Sequence, residues 1–417
     1  MDRAAGGACK LAGFGVRSAQ RSRVIQIISR YPIAWLAIGE TLAWAAIFYS
    51  FPAMLLRWEA DLGWSKAELT GAVTLAILAA ALASPLAGRV IDRGHGAALM
   101  AGSAVLGGVG LIGLALVQQL WQFYVIWGVI GLATAGALYD PCFALVTRAR
   151  GASAKAGIIR ITLVAGFAST VSFPSVYGLS EAFGWRVCVL VFAGVMIGLV
   201  APIYWFAVRG LERDMPVVPK GERAPSPRLR LHGSGVFWLL AAALACVALV
   251  QSAVMQHLLP IFREGGVSDA SAVLAASFIG PMQVAGRLVL VALDRLVSHF
   301  VLMLGVILMM GASVLMLQVI GGGVRLLAAF VILHGCAKGT LSILRPLTTR
   351  DVLGEADFGA KSGALALPFL VASASAPYLG AVIWGVGGYG LMLTLLAILS
   401  GFGAVFYVLA HRKGVRA

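Results

Sequence analysis

Twelve apolar stretches, each close to the ~20 helical residues needed to cross a bilayer core, divide six and six around a basic, proline-rich segment. That segment runs from Arg209 to His232 and carries Pro216, Pro219, Pro225, Pro227 and six Lys/Arg. Hydrocarbon offers no water to backbone polar groups, so runs of this kind must be helices. The spans fall near 32–57, 67–87, 97–117, 121–147, 157–178, 184–208, 235–259, 269–293, 300–320, 324–345, 361–385 and 389–410. The expectation is an all-α membrane protein of twelve transmembrane helices in two six-helix bundles, a plan used by secondary transporters built from repeats. Its units would be a cytoplasmic tail (1–31), a first bundle (32–208), a linker (209–234), a second bundle (235–410) and a short tail (411–417).

With 60% hydrophobic and 12% charged residues, the chain is too apolar for a soluble fold. A net charge of +15 would ordinarily raise the question of nucleic acid, but the placement of the cations answers it. With the amino terminus inside, 24 Lys/Arg fall in inward tails and loops, and only Arg57, Lys66, Arg186, Arg263 and Arg325 face outward. This is the positive-inside pattern; it predicts both termini in the cytoplasm of a multi-pass protein of the inner or plasma membrane. Basic loops beside anionic lipid account for the charge without a nucleic acid partner. The five cysteines are scattered, without metal or disulfide spacing, and read as buried apolar groups. Residues 1–31 hold six Lys/Arg but lack the continuous apolar core and small-residue cleavage site of a signal peptide, so they are expected to be a tail.

The halves echo each other. Ser65-Lys-Ala-Glu68 reads as a capping box opening span two, and Ser268-Asp-Ala-Ser271 as a cap opening span eight. Span two is followed by Gly88-Arg89-Val-Ile-Asp92-Arg93-Gly94, span eight by Gly286-Arg287 and then Asp294-Arg295. Glycines permit a tight turn there. Asp92 and the arginines Arg89 and Arg93 are placed to pair with helix ends and latch one conformation, with Asp294 and Arg295 as their second-half counterparts.

The run Gly88…Asp92-Arg93 resembles the G-x-x-x-D-R-x-G motif between helices two and three of the major facilitator superfamily, with His95 in the last glycine's place and Gly96 one residue later. Span number, loop lengths and linker extend the resemblance over 32–410. Within that superfamily the chain resembles the monocarboxylate-transporter and oxalate–formate group, through Tyr49-Ser-Phe-Pro52, Leu62-Gly-Trp-Ser-Lys-Ala-Glu68, Tyr139-Asp-Pro-Cys-Phe143, His257-Leu-Leu-Pro260 and Gly286-Arg287. The resemblance implies the major facilitator fold and an arginine, here Arg287, that binds a substrate carboxylate. The family pattern has aspartate four residues before it, where this chain has Gln283. It also has lysine after Phe-Pro in helix one, where this chain has Ala53.

Charges at bilayer depth cost at least ~2.5–3.5 kcal/mol on insertion scales and therefore ask for a role or a partner. Glu40 lies a third of the way into span one with no cation near it in sequence; desolvation opposes its charged form, which suits a proton carrier. Asp140 precedes Pro141, which predicts a helix kink, and pairs with Arg160 across a short connection or joins in proton transfer. Tyr139 beside it offers a hydroxyl to substrate. Arg287 offers a planar fork to a carboxylate, or serves a gate near Asp294. Lys338 lies near mid-membrane and is the candidate for the cation absent at Ala53. His334, four residues earlier, shares its helix face and so a cavity wall.

Three in-membrane bases against two acids favour an anionic substrate. The expected activity is proton-coupled alternating-access transport of a small organic anion, a carboxylate. Arg287, Lys338, Tyr139, His334 and Gln283 would form the substrate site, Glu40 and Asp140 would carry protons, and Gly88, Arg89, Asp92, Arg93, Arg160, Asp294 and Arg295 would gate. Partners are the substrate, protons and lipid; the chain is expected to act as a monomer without a cofactor. The alternative is drug efflux by proton antiport, whose helix-five motif G-x-x-x-G-P-x-x-G-G is absent from Gly166-Phe-Ala-Ser-Thr-Val-Ser-Phe-Pro174. No P-loop, nucleophile elbow or metal-ligand cluster points to an enzyme.

Overall fold

Apolar runs of 20 residues or more cross the molecule as helices, and the computed structural model describes residues 31–213, 235–293, 296–320, 323–354 and 358–414. In chain order they are α1 (Pro32–Leu62), α2 (Lys66–Asp92), α3 (Gly96–Ala115), α4 (Leu120–Arg150), α5 (Ala154–Phe183), α6 (Trp185–Arg213), α7 (Gly235–Gln256), α8 (Asp269–Leu293), α9 (His299–Gln318) and α10 (Val324–Leu353). The last run, Phe358–Gly414, leaves helical geometry at Gly387 and Gly388 (φ −152° and +67°), which divides it into α11 (358–386) and α12 (389–414). The described residues thus form twelve long helices, and the end bearing the α1–α2 turn also bears α5–α6, α7–α8 and α11–α12. A short segment, Leu258–Glu264, continues α7 there.

The repeat signals act at matching points. Ser65 accepts from the Glu68 amide while Glu68 accepts from the Ser65 amide, closing the capping box of α2. Ser268 accepts from the Ser271 amide at the start of α8. Within the first half α2 packs on α4; within the second, α8 packs on α10. The second pair is close because Gly286 lies against backbone: a Cβ there would sit 2.5 Å from the Cys336 carbonyl oxygen.

Within the expected Gly88–Gly94 loop, the turn falls at the last glycine. Helix α2 runs on through Asp92, Gly88 is helical, and the reversal falls at Gly94 with φ +81°. A single glycine does not end a helix whose neighbours favour it; the left-handed residue does. Arg148 of α4 donates to the Ile91 carbonyl (2.7 Å) and Glu212 of α6 accepts from the Ala97 amide (3.2 Å), tying both sides of this turn to the bundle. Arg89, Asp92 and Arg93 are exposed. Asp294 and Arg295, like the tail before Tyr31 and residues 214–234 of the linker, lie outside the described residues.

The halves meet along α2–α11 and α5–α8. Helix α8 packs along Ala168–Phe183 of α5 and only marginally on Ala154–Ala165. Thr170 of α5 donates to the Ser277 carbonyl of α8 (2.7 Å), and Leu258–Glu264 packs on Ser50–Leu62 of α1. Lys66 of α2 lies 3.9 Å over the Trp384 ring of α11. These contacts close the end bearing the α1–α2 turn.

Candidate functional site

Two prolines shape the centre. Pro52 has no amide for the Phe48 carbonyl, and the turn before it, Trp44–Phe48, widens to π-helical geometry. The loosened Ala45 carbonyl accepts from Ser172 of α5 (2.8 Å). The widened turn presents Trp44, Phe48 and Tyr49 together: the Phe48 ring lies 4.8 Å from that of Trp44 and 5.2 Å from that of Tyr49. In α4, Pro141 withholds the amide for Ala137, and the helix breaks at Leu138 (φ −101°, ψ −160°). The break, expected from Asp140-Pro141, turns Tyr139 and Asp140 into a cavity of about 250 Å³ lined also by Trp44, Phe48, Thr134 and Leu370. Tyr139 lies 4.8 Å from the Trp44 ring and stacks on Phe143.

From the second half come the cations. Arg287 is 4% exposed; it donates through Nε to the Gly339 carbonyl (3.3 Å) and through Nη1 to the Thr162 carbonyl across the interface. It also faces Tyr139 within electrostatic range. Lys338 donates to the Tyr49 hydroxyl at 3.2 Å, with Met255 Sδ at 3.0 Å, and sits 5.0 Å from the centroid of the Tyr49 ring. Gln283 donates to the same hydroxyl at 3.3 Å. Tyr49 thus gathers α8 and α10 onto α1. Neither Arg287 nor Lys338 has an acidic partner among the described residues. A buried cation without a counter-charge is costly, so an incoming anion is favoured here.

A larger cavity, about 390 Å³, lies at the closed end among Arg57, Asp61, Glu181, Arg263 and Asp269. Its charges are partly spent on each other: Arg57 binds Glu181 (2.7 Å) and Asp61 accepts from Trp185 (2.7 Å). We therefore place the site around Arg287 and Lys338, beside the smaller cavity: neither cation lines it, but Lys338 lies 5.9 Å over the ring of Phe48 and Arg287 faces Tyr139, both of which do.

Other expected residues lie elsewhere. Glu40 is fully buried inside the first half, behind Trp44, and faces Tyr204 of α6 rather than the cavity. His334 is fully buried, bonded through Nδ1 to Ser313 of α9 (3.2 Å) and stacked on Phe330, so it does not share a cavity wall with Lys338. One face of α10 is wide enough to send the two side chains to different neighbours. Asp140 and Arg160 do not pair: the α4 break turns Asp140 into the cavity, and Arg160 is exposed on α5. Asp140 instead has Arg345 as its electrostatic neighbour, and Arg345 lies 4.5 Å over the Phe369 ring.

Two bundles of six, matching capping points, and an interface formed by α2–α11 and α5–α8 agree with a model of the Major Facilitator Superfamily, which matches residues 36–317. The chain belongs to the major facilitator superfamily. Among solved structures, a point mutant of the nucleoside transporter NupG superposes with a TM-score of 0.68 at 14% identity, covering 92% of this chain and 98% of that one. A bacterial homologue of the human lysosomal transporter Spinster, inward-facing and occupied, gives 0.64 at 15% identity, covering 92% and 97%. At such identities the likeness concerns the fold. No curated protein matches the sequence. This major facilitator protein is a multi-pass membrane transporter of the secondary type.

Sequence reasoning missed three residues of the transporter's centre. Tyr49 was visible only within its Tyr-Ser-Phe-Pro run, and Thr162 contributes a carbonyl that no pattern marks. Tyr204 lies in α6, far from every motif. Its signal was Pro141, whose missing amide frees the Ala137 carbonyl that Tyr204 satisfies at 2.8 Å.

Proposed function

We propose that this transporter moves a small organic anion, a carboxylate, across the inner or plasma membrane by alternating access coupled to protons. One observation carries the reading: Arg287 and Lys338, at the junction of the halves, have only neutral partners among the described residues. A carboxylate entering between them would supply the missing charge, held by the Arg287 fork and the Lys338 ammonium, with the Tyr49, Tyr139 and Gln283 polar groups beside it. Binding between α1 and α8–α10 would draw the halves together, because the cations stand on one half and Tyr49 and Thr162 on the other. Arriving with a proton makes the anion's cargo electroneutral. Glu40 and Asp140 are the carriers in this reading, and Arg89, Asp92 and Arg93 at the α2–α3 turn latch the gate with Arg160. The order of the Tyr49, Tyr139 and Gly286-Arg287 runs supports a monocarboxylate-like or oxalate–formate-like specificity. With both termini in the cytoplasm, the closed end faces away from it.

A second reading, proton-antiport efflux of hydrophobic compounds, draws on the aromatic lining of the cavity, Trp44, Phe48 and Tyr139. The two uncompensated cations weigh against it. The test is thermal unfolding of the purified protein with a panel of mono- and dicarboxylates. A ligand at 100 times its Kd adds about 2.7 kcal/mol, and the stabilisation should vanish in Arg287→Lys, whose ammonium cannot reproduce the fork. Stabilisation by neutral aromatic compounds alone would reverse the ranking.

A further inference from the structure

The proton inventory around Glu40 shows more than its burial. Tyr204 has a single hydroxyl proton, yet its oxygen lies 2.8 Å from the Ala137 carbonyl and 3.2 Å from Glu40 Oε1. The carbonyl can only accept. If Tyr204 donates to it, the contact with Glu40 is a hydrogen bond only when Glu40 donates, that is, when the carboxyl carries a proton. The carbonyl needs this donor because Pro141, four residues on, has no amide to offer. The other groups around Glu40 are Trp44 on its own helix and Cys142 and Asp140 on α4, with Tyr139 near Tyr204; none is a base among the described residues. Gly39 completes the arrangement: a Cβ there would lie 2.6 Å from Tyr204 Cε1, so the ring occupies space that only glycine leaves.

We infer that Tyr204 is a positioning residue that couples the protonation of Glu40 to the shape of the α4 break. This rests on the reading of Glu40 as a proton carrier and adds the route by which its proton is felt at the substrate cavity. When Glu40 loses its proton the carboxylate accepts only, and it recruits the Tyr204 hydroxyl through a stronger, charge-assisted bond. The Ala137 carbonyl is then left without a donor in a buried place. The break at Leu138 relaxes, and with it Tyr139 and Asp140, which line the cavity. The loaded proton therefore holds the cavity wall in the form described here, and its release loosens that wall.

Hydrogen exchange of the α4 amides over 134–145, corrected for intrinsic rates and followed against pH, tests this in the full-length protein in detergent. The native protein should lose protection, by about tenfold, across the titration of one group. Glu40→Gln, which keeps a donor toward Tyr204, should stay protected at every pH. Tyr204→Phe should be unprotected at every pH. A native-like pH response in Tyr204→Phe overturns the inference while leaving Glu40 as carrier; a native-like response in Glu40→Gln overturns the carrier reading and the inference with it. Infrared spectra of the native protein and Glu40→Gln need no change at Tyr204. A tyrosine band moving in step with the Glu40 carboxyl band supports the coupling, and independent movement refutes it.

Discussion

Lys66 should hold the closed end shut, and its contribution can be isolated. Its ammonium lies 3.9 Å over the Trp384 ring of the other half and 2.6 Å from Glu59 Oε1 of its own half, with a side chain only 10% exposed. The Glu59 pair joins α1 to α2 and moves with the first half, so it is present whichever end is open. Trp384 likewise donates to Glu264 (2.8 Å) within the second half. Of these three contacts, the cation–ring one alone joins the two halves. Such contacts range from ~0.5–1 kcal/mol when exposed to ~2 when desolvated; the low exposure of Lys66 places it at about 1–2 kcal/mol. That corresponds to a factor of about 5–30 in a two-state equilibrium. Lys66→Met, Trp384→Leu and the double variant form a cycle that removes the within-half terms. Spin labels at exposed His95 and Leu296, at the opposite end of the two halves, report the equilibrium. Each single variant should shift the distance distribution toward the shorter population, and the double variant should go little further. Folded single variants with an unchanged distribution, or strictly additive shifts, would refute the reasoning.

Other perturbations have defined outcomes. Gly339→Ala would place a Cβ 2.7 Å from Gln283 Cα; overpacking of this kind costs about 1–3 kcal/mol, read as a lower midpoint of thermal unfolding. Gly88→Ala meets nothing within 4 Å in a helical position, so the midpoint should hold or rise by up to ~1 kcal/mol in stability; a fall would place Gly88 back in a turn. Tyr49→Phe removes the acceptor shared by Lys338 and Gln283 and should weaken carboxylate binding by roughly 1 kcal/mol, about fivefold, in equilibrium titration.

The architecture was legible because each span must satisfy its backbone alone, and because Ser65 and Ser268 cap helices at matching places. The α4 break was legible because Pro141 acts within one turn. What depends on helix rotation was not. His334 and Lys338 share a spacing but not a neighbour: Ser313 draws one to α9 and Tyr49 the other to the interface. Asp140 and Arg160 are near in sequence, yet the break that Pro141 causes turns Asp140 toward Arg345 on the other half. Glu40 was identified as a buried acid, but its partner Tyr204 is 164 residues away, beyond any local pattern. The turn within Gly88–Gly94 was legible, but not which glycine makes it, because glycine permits a turn without requiring one: Gly88 stays helical and Gly94 turns.

The central claim is that the uncompensated pair Arg287 and Lys338 binds the anion whose transport a proton gradient drives. Uptake of radiolabelled small mono- and dicarboxylates into proteoliposomes under an inward proton gradient, with Arg287→Ala and Glu40→Gln alongside, tests it most directly. The account predicts accumulation of at least one carboxylate, abolished by Arg287→Ala, with Glu40→Gln retaining exchange but losing the response to the gradient. Carboxylate uptake undiminished in Arg287→Ala, or no carboxylate uptake by protein that moves another cargo, would contradict it.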